Sequence, residues 1–306
     1  MRVIGTRASD LALTQSRWVA ERLQELGVQV CLERIRTQGD KVQHLSLDKL
    51  EGKGFFTKEI EQALLDRKVD IAVHSLKDLP SELVPGLVVA AMPTREDERD
   101  CLVMHPEVYS PGEAALPIAQ GMRIGTSAIR RKAQLFALRP DLQAADVRGN
   151  VPTRLRRLAS GDYAAVLLAA AGLRRLQLEL PQFKVVPLDA GTFVPAPGQG
   201  ALALQCRADD AEMRAILSRL HDARDAARVA CERGLLGLLH AGCHVPLGAH
   251  ATYAAGDAMD LSVFFGQAAY ADPGAPPPHR FVVQGADAES AARLAFARLT
   301  GADATL

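Results

Sequence analysis

The feature that most limits how this chain can fold is a short phrase written twice. Val3-Ile4-Gly5-Thr6-Arg7-Ala8-Ser9 near the start is echoed by Arg123-Ile124-Gly125-Thr126-Ser127-Ala128-Ile129 further on. Each copy is a short strand ending in Gly-Thr and leading into helical spacing. After the first copy, Leu11, Trp18, Val19, Leu23 and Leu26 form an apolar helical face. Val28 to Ile35 then reads as a strand, Ile60, Leu64 and Leu65 mark a helix, and Val69 to Val73 reads as a buried strand. After the second copy a helix runs to Leu138, a strand lies near Ala144 to Val147, a helix surrounds Leu155 to Leu158, and an apolar strand spans Ala164 to Ala169. This is the βαβ pattern of a parallel sheet, used twice, so two similar α/β lobes are expected.

At 306 residues the chain exceeds what one ordinary core holds, and its punctuation gives the boundaries. Pro93 to Asp97 is charged and contains proline, and Thr192 to Gly200 is rich in Pro and Gly; both read as hinges. Beyond Cys206 come helical runs at Ala211 to Leu220 and Ala223 to Leu239, a Gly-rich turn at Ala241 to Gly248, and strand-like segments at Leu261 to Phe265 and Arg280 to Val283. A last helix follows from Ala286 to Leu299. The expected division is 1–94 with 195–216 as a first lobe, 98–191 as a second, Arg-rich lobe, and 218–306 as a small third α/β domain.

Overall charge is silent about partners, because Lys plus Arg and Asp plus Glu both number 36. Its distribution is not. Between Arg123 and Arg157 nine basic residues face only Asp141 and Asp146, which predicts an anionic ligand. Five widely spaced cysteines without a C-x-x-C pair argue against a disulfide framework. With no signal-like apolar start and no apolar stretch of bilayer length, a cytoplasmic protein is expected.

Several clusters crowd chemistry into short segments, each with a plainer alternative. The helix starts at Thr6 to Ser9 and Thr126 to Ser127 are either simple N-caps or holders of carboxylates. Val73-His74-Ser75-Leu76-Lys77-Asp78-Leu79-Pro80 places polar groups at the carboxyl end of a buried strand, where such folds bind ligands; a solvated Lys77–Asp78 pair is the alternative. Arg130-Arg131-Lys132 is either an exposed helical face or, with Arg148 and Arg154, a cradle of guanidinium forks for carboxylates. Nucleic acid competes as the anion, but Phe136 is the one aromatic there, too few for a stacking groove. Gly52-Lys53-Gly54 is a surface loop or a mobile cover that brings Lys53 to a cleft, and it lacks P-loop spacing. Cys243, between Gly242 and His244, sits in a turn where a thiol is accessible. Zinc held by His240, Cys243 and His244 would want a well-spaced fourth ligand, so no metal is expected.

Taken together these runs resemble the hydroxymethylbilane synthase family, also called porphobilinogen deaminase. The matching segments are Gly5 to Ser9, Gly52 to Gly54, Ala72 to Pro80, Gly125 to Ser127 with Arg130-Arg131, Arg148 to Asn150 with Thr153-Arg154, Pro197 to Gly200, and Gly242-Cys243 with Val245-Pro246. They lie in order over nearly the whole chain. The resemblance implies a cytoplasmic, monomeric transferase of tetrapyrrole and heme biosynthesis, acting without nucleic acid, membrane or metal. It would deaminate four porphobilinogen molecules and join them head to tail into hydroxymethylbilane, on a covalently bound dipyrromethane. The first two domains would be similar to the lobes of periplasmic solute-binding proteins, with the active cleft between them.

By this resemblance Asp78 is the catalytic carboxylate and Cys243, in the third domain, carries the dipyrromethane through a thioether. Arg7, Ser9, Lys53, Ser75, Lys77, Thr126, Ser127, Arg130, Arg131, Arg148, Arg154 and Arg175 fall where the family binds cofactor and substrate side chains. Each porphobilinogen brings an acetate and a propionate, so an Arg-rich lobe suits a growing polyanion. Loss of ammonia leaves a cationic azafulvene, which a carboxylate beneath the pyrrole nitrogens would stabilise. Three positions depart from the common pattern: Ala128 where a serine is frequent, Phe55 where Leu is common, and His244 where Gln is common. The rival readings are a non-catalytic two-lobed binding protein, which needs neither Asp78 in its cluster nor a reactive Cys243, and a nucleic-acid-binding protein, which a marked fall in affinity with salt would support.

Overall fold

The computed structural model describes residues 1–37, 57–112, 115–240, 245–266 and 277–302. The first elements are β1 (Arg2–Arg7), α1 (Asp10–Glu25), β2 (Val30–Ile35), α2 (Lys58–Leu65), β3 (Ile71–Ser75) and β4 (Leu87–Ala91). Next come β5 (Asp100–Met104), β6 (Arg123–Gly125), α3 (Ile129–Leu138), β7 (Gln143–Ala145), α4 (Val151–Ala159), β8 (Ala165–Ala169), α5 (Ala170–Arg175) and β9 (Lys184–Pro187). The chain ends with β10 (Leu202–Arg207), α6 (Ala211–Ser218), α7 (Ala223–Leu238), β11 (Leu247–Tyr253), β12 (Met259–Phe265), β13 (His279–Gly285) and α8 (Ala288–Thr300).

Two five-stranded sheets share one plan, β2-β1-β3-β10-β4 and β7-β6-β8-β5-β9. In each, three parallel strands are followed by a strand running the other way, β10 against β3 and β5 against β8. The repeated Gly-Thr phrase is therefore one structural position used twice, the second strand of each sheet. The fold class is α/β with two similar lobes and a third, smaller sheet, as the sequence implies. The sheets are mixed, however, not purely parallel. The antiparallel strands are the ones that carry the chain between lobes: β5 opens the second sheet after the outward crossing, and β10 returns to the first.

Burial follows the pleat. In β5, Cys101 and Val103 join a core with Val147, Leu158 and Val166, while Leu102 and Met104 face the opposite core with Ile124, Leu135 and Leu167. In the first lobe α1 lays Val19 and Leu23 against Ile4, Ile71 and Leu204. Trp18 departs from its expected place in that face: it is 38% exposed, with the Arg22 guanidinium 6.0 Å from its ring centre. The third sheet is an antiparallel meander, β11-β12-β13, whose Ala249, Leu261 and Val263 pack with Leu235 of α7 and Ala291 and Ala295 of α8.

The two segments read as hinges run side by side. Glu96 N–H donates to Gly200 O at 3.2 Å, and Arg95 Nε to Gln199 O at 2.8 Å. A side chain at Gly200, where φ is +88°, would put a Cβ 2.2 Å from Glu96 O, so this crossing requires glycine. Arg95 and Glu232 of α7 form a fully buried ion pair at 2.8 Å, and the Glu232 carboxylate also accepts from the backbone N–H of Gly198 and Ala251. The third sheet is thereby fastened to the crossing.

Candidate active site

β3 ends at Ser75 in a single tight turn, Leu76–Asp78. Leu76 and Leu79 are buried on either side of it, and Arg233 of α7 donates to the carbonyls of Leu76, Leu79 and Pro80 at 3.1, 3.0 and 2.8 Å. Apolar burial and three hydrogen bonds pin the turn, while Asp78 itself is exposed. It lines a cavity of about 70 Å³ with Arg7, Ser9, Gln15, His74 and Ser75. Ser75 Oγ is held by Gln15 Nε2 at 2.9 Å. His74 is buried against Gln205 at 3.0 Å, and burial pushes its imidazole below the usual range against the opposing pull of Glu61, which favours the neutral form.

The helix starts differ from their expected symmetry. Ser9 is the N-cap of α1, accepting from Ala12 N–H at 3.4 Å, whereas Thr6 and Arg7 belong to β1. In the second lobe Ala128 is the N-cap of α3 and makes no side-chain cap. Thr126 and Ser127 are both buried, and Ser127 Oγ donates to Val147 O at 2.9 Å and accepts from Val147 N–H at 3.1 Å. The hydroxyl thus ties β6 to the segment that carries Arg148.

Arg130 and Arg131 do not form an exposed helical face; they are 6% and 5% exposed. Between them lies Asp100, fully buried at the start of β5. Its Oδ1 accepts from Arg131 Nη2 at 2.7 Å, and Arg130 Nη1 lies 2.8 Å from Oδ2. Burial alone would raise the Asp100 carboxyl, but the two guanidinium groups hold it well below the usual carboxylate range. Burial lowers Arg130 from its ordinary value, with Asp100 opposing. Replacing Asp100 with Ala should cost about 3–5 kcal/mol in stability by leaving two buried cations unmatched. Urea unfolding measures it, and an unchanged midpoint would refute the counter-charge role.

The sequence count of nine bases against two acids overstates the free positive charge. Arg130 and Arg131 meet Asp100, Lys132 meets Asp146 at 2.7 Å, Arg139 meets Asp141 at 2.8 Å, and Arg157 meets Asp162 at 2.9 Å. Four of the nine, Arg123, Arg148, Arg154 and Arg156, are left without a carboxylate among these pairs; Arg123 and Arg156 are exposed, whereas Arg148 and Arg154 are half-buried. Arg148 Nη2 is buried without a hydrogen-bond partner among the described residues. Arg154, in the first turn of α4, donates Nε to Gly149 O at 2.9 Å; burial and then Arg131 and Arg148 lower it to about 10, against the pull of Asp78. Lys77 donates Nζ to Gln199 Oε1 at 3.1 Å, and burial lowers its ammonium to about 8, with Asp78 opposing.

Asp78 from one lobe therefore shares an electrostatic neighbourhood with Arg131, Arg148 and Arg154 from the other. This surplus of partly desolvated cations, with an unpartnered guanidinium nitrogen, fits a group that bears several carboxylates. Arg175 stands apart, at the crossing, with Nη2 2.6 Å from Gly200 O; burial lowers it to about 10. Lys53 and Cys243 lie outside the described residues, as does His244. Among the described residues no group of three or more His, Cys, Asp or Glu is placed to hold a metal. Asp100, Gln199 and Arg233 carry no role in the sequence reading. For Asp100 the available signal was the acid that ends the charged run Arg95 to Asp100 and heads the apolar run Cys101 to Met104, beside a lobe short of counter-charge.

The family model described as porphobilinogen deaminase, dipyromethane cofactor binding domain, matches residues 2–215, and that of the porphobilinogen deaminase C-terminal domain matches 226–272. The chain is 49% identical to a porphobilinogen deaminase of Syntrophotalea carbinolica over 82% of its own length and 78% of the relative's. It is 44% identical to one of Brevibacillus brevis, over 86% and 84% respectively. For one of Oceanobacillus iheyensis the identity is 42%, with the same two coverages.

Proposed function

Because this chain belongs to the porphobilinogen deaminase family, we propose that Asp78 is its catalytic carboxylate, that Cys243 holds its dipyrromethane, and that the cationic cleft binds the carboxylates of primer and substrate. The activity is a transferase reaction in which porphobilinogen is polymerised into hydroxymethylbilane, with a dipyrromethane cofactor. One observation carries the residue assignment: an exposed carboxylate on a turn pinned from both sides, facing guanidinium groups whose charge the protein leaves partly unmatched.

When bound, the dipyrromethane supplies the pyrrole end on which the substrate chain grows. Arg148 and Arg154 hold carboxylates by paired hydrogen bonds and so fix the register of the substrate ring. The Asp78 carboxylate accepts N–H bonds from the pyrrole and stabilises the positive charge that develops on the substrate as ammonia leaves. Arg7, Ser9 and Ser75, around the same cavity, and Thr126, Ser127, Arg130, Arg131 and Arg175 complete the proposed binding set. Lys53 and Lys77 belong to the proposed set as further cations for those carboxylates.

Three sheets support the proposed division into 1–94 with 195–216, 98–191 and 218–306. We propose that the enzyme acts as a monomer. No helix among the described residues is long and apolar enough to cross a membrane. We place the enzyme in the cytoplasm, acting without nucleic acid or membrane. Replacing Arg148 with Leu should raise KM for porphobilinogen by roughly tenfold to a hundredfold, since a buried donor to a carboxylate is lost. Substrate consumption against concentration checks this, and an unchanged KM would remove Arg148 from the site.

A further inference from the structure

Gln199 lies in the returning crossing and is 1% exposed. Both ends of its amide are used. Oε1 accepts from Lys77 Nζ at 3.1 Å, while Nε2 donates to Glu98 O at 2.7 Å and to Asp100 Oδ1 at 3.0 Å. Lysine offers donors alone, and a carbonyl or ionised carboxylate offers acceptors alone, so the chemistry fixes which way the amide points. The backbone that aims it is equally constrained. Gln199 N–H bonds Ala196 O at 2.9 Å, Gln199 O accepts from Arg95, and Gly198 N–H is held by Glu232. A single buried amide thus touches the cation beside Asp78 on one side and the carboxylate that holds Arg130 and Arg131 on the other.

We propose that Gln199 is a positioning residue that keeps Lys77 charged and aimed into the cleft while holding Asp100 against Arg130 and Arg131, so that the cationic groups of the two lobes are set by one side chain. This rests on the reading of Lys77 as a carboxylate-binding group. Burial is the chief influence against the Lys77 ammonium, and Arg131 and Arg130 of α3 add to it. Asp78 of the same turn and Asp100 of β5 act in its favour. Burial outweighs these carboxylates, and the Gln199 Oε1 dipole at hydrogen-bond distance adds to the side that favours the charged form. Lys77 is a cation below its midpoint of about 8 and loses its hold on an anion as pH rises through it.

The test is the pH midpoint of Lys77 acetylation by acetic anhydride, followed by peptide mass spectrometry on the full-length protein. Gln199→Met removes the acceptor and should lower the midpoint by about one pH unit. Gln199→Glu puts a negative oxygen beside Nζ and should raise it by about as much, while setting a second carboxylate against Asp100. A residue that merely fills space would move both variants the same way, toward the ordinary lysine value, as water enters. In the Met variant, KM for porphobilinogen should rise about threefold midway between its own midpoint and the native one and approach about tenfold above both, with little change at lower pH. Gln199→Asn, too short to bridge, should follow Met and serves if Met does not fold. Midpoints that stay fixed, or that rise in every variant, overturn the role of Gln199. If they move as expected while Lys77→Met polymerises porphobilinogen like the native enzyme, the carboxylate-binding role of Lys77 falls, and the proposal with it.

Discussion

Asp78→Ala should lower turnover by roughly a thousandfold or more while leaving the fold and the attached cofactor in place, because what is lost acts on charge that develops only in the transition state. The structure separates the two effects. The turn that carries Asp78 is held by Leu76, Leu79 and the three bonds from Arg233, none of which involves the Asp78 carboxylate. Thermal unfolding should therefore change little. Asp78→Asn should fall nearly as far as Ala, since an amide keeps the shape and one acceptor but not the charge. A fall in kcat with KM nearly unchanged is the expected signature, measured by porphobilinogen consumption. Turnover within a fewfold of the native value would remove Asp78 from the chemistry.

The second large effect is expected at Cys243. Serine there should abolish attachment and with it turnover, because a hydroxyl is far less nucleophilic than a thiolate near neutral pH. The described cysteines give a physical reason to look elsewhere than in the cores. Burial pushes the thiols of Cys101 and Cys206 up to about 11 and that of Cys231 up to about 12. Cys31 is half-buried in β2. A variant that retained turnover, or an adduct on another cysteine, would refute the assignment.

What could be seen in the sequence divides along a physical line. Local order was legible: the Gly-Thr phrase fell at matching positions of two sheets, and the helices from Ala211 and Ala223 formed near their expected bounds. The strands that carry the chain between lobes were not, because Asp100–Met104 and Leu202–Arg207 are buried on both faces, polar residues included, and so lack the alternation that marks a half-buried strand. Site residues beside a strand end, such as Asp78, were visible as clusters. Asp100 and Gln199 were not, since their partners are distant in sequence: Asp100 meets Arg131 only once the second lobe is folded, and Gln199 meets Lys77 only once the returning chain packs on the first. Charge counting over Arg123 to Arg157 erred for the same reason, by leaving out counter-ions that tertiary contact supplies.

The central claim is that this enzyme builds its product on a dipyrromethane bound covalently through Cys243. The most direct measurement is the intact mass of active protein after denaturation, followed by peptide mapping. A thioether survives unfolding and chelators, whereas a metal-held or loosely bound group does not. The account predicts a chain heavier than its sequence by one dipyrromethane, with the added mass on the peptide containing Cys243. Fully active protein of unmodified mass, or an adduct on Cys231, would contradict it.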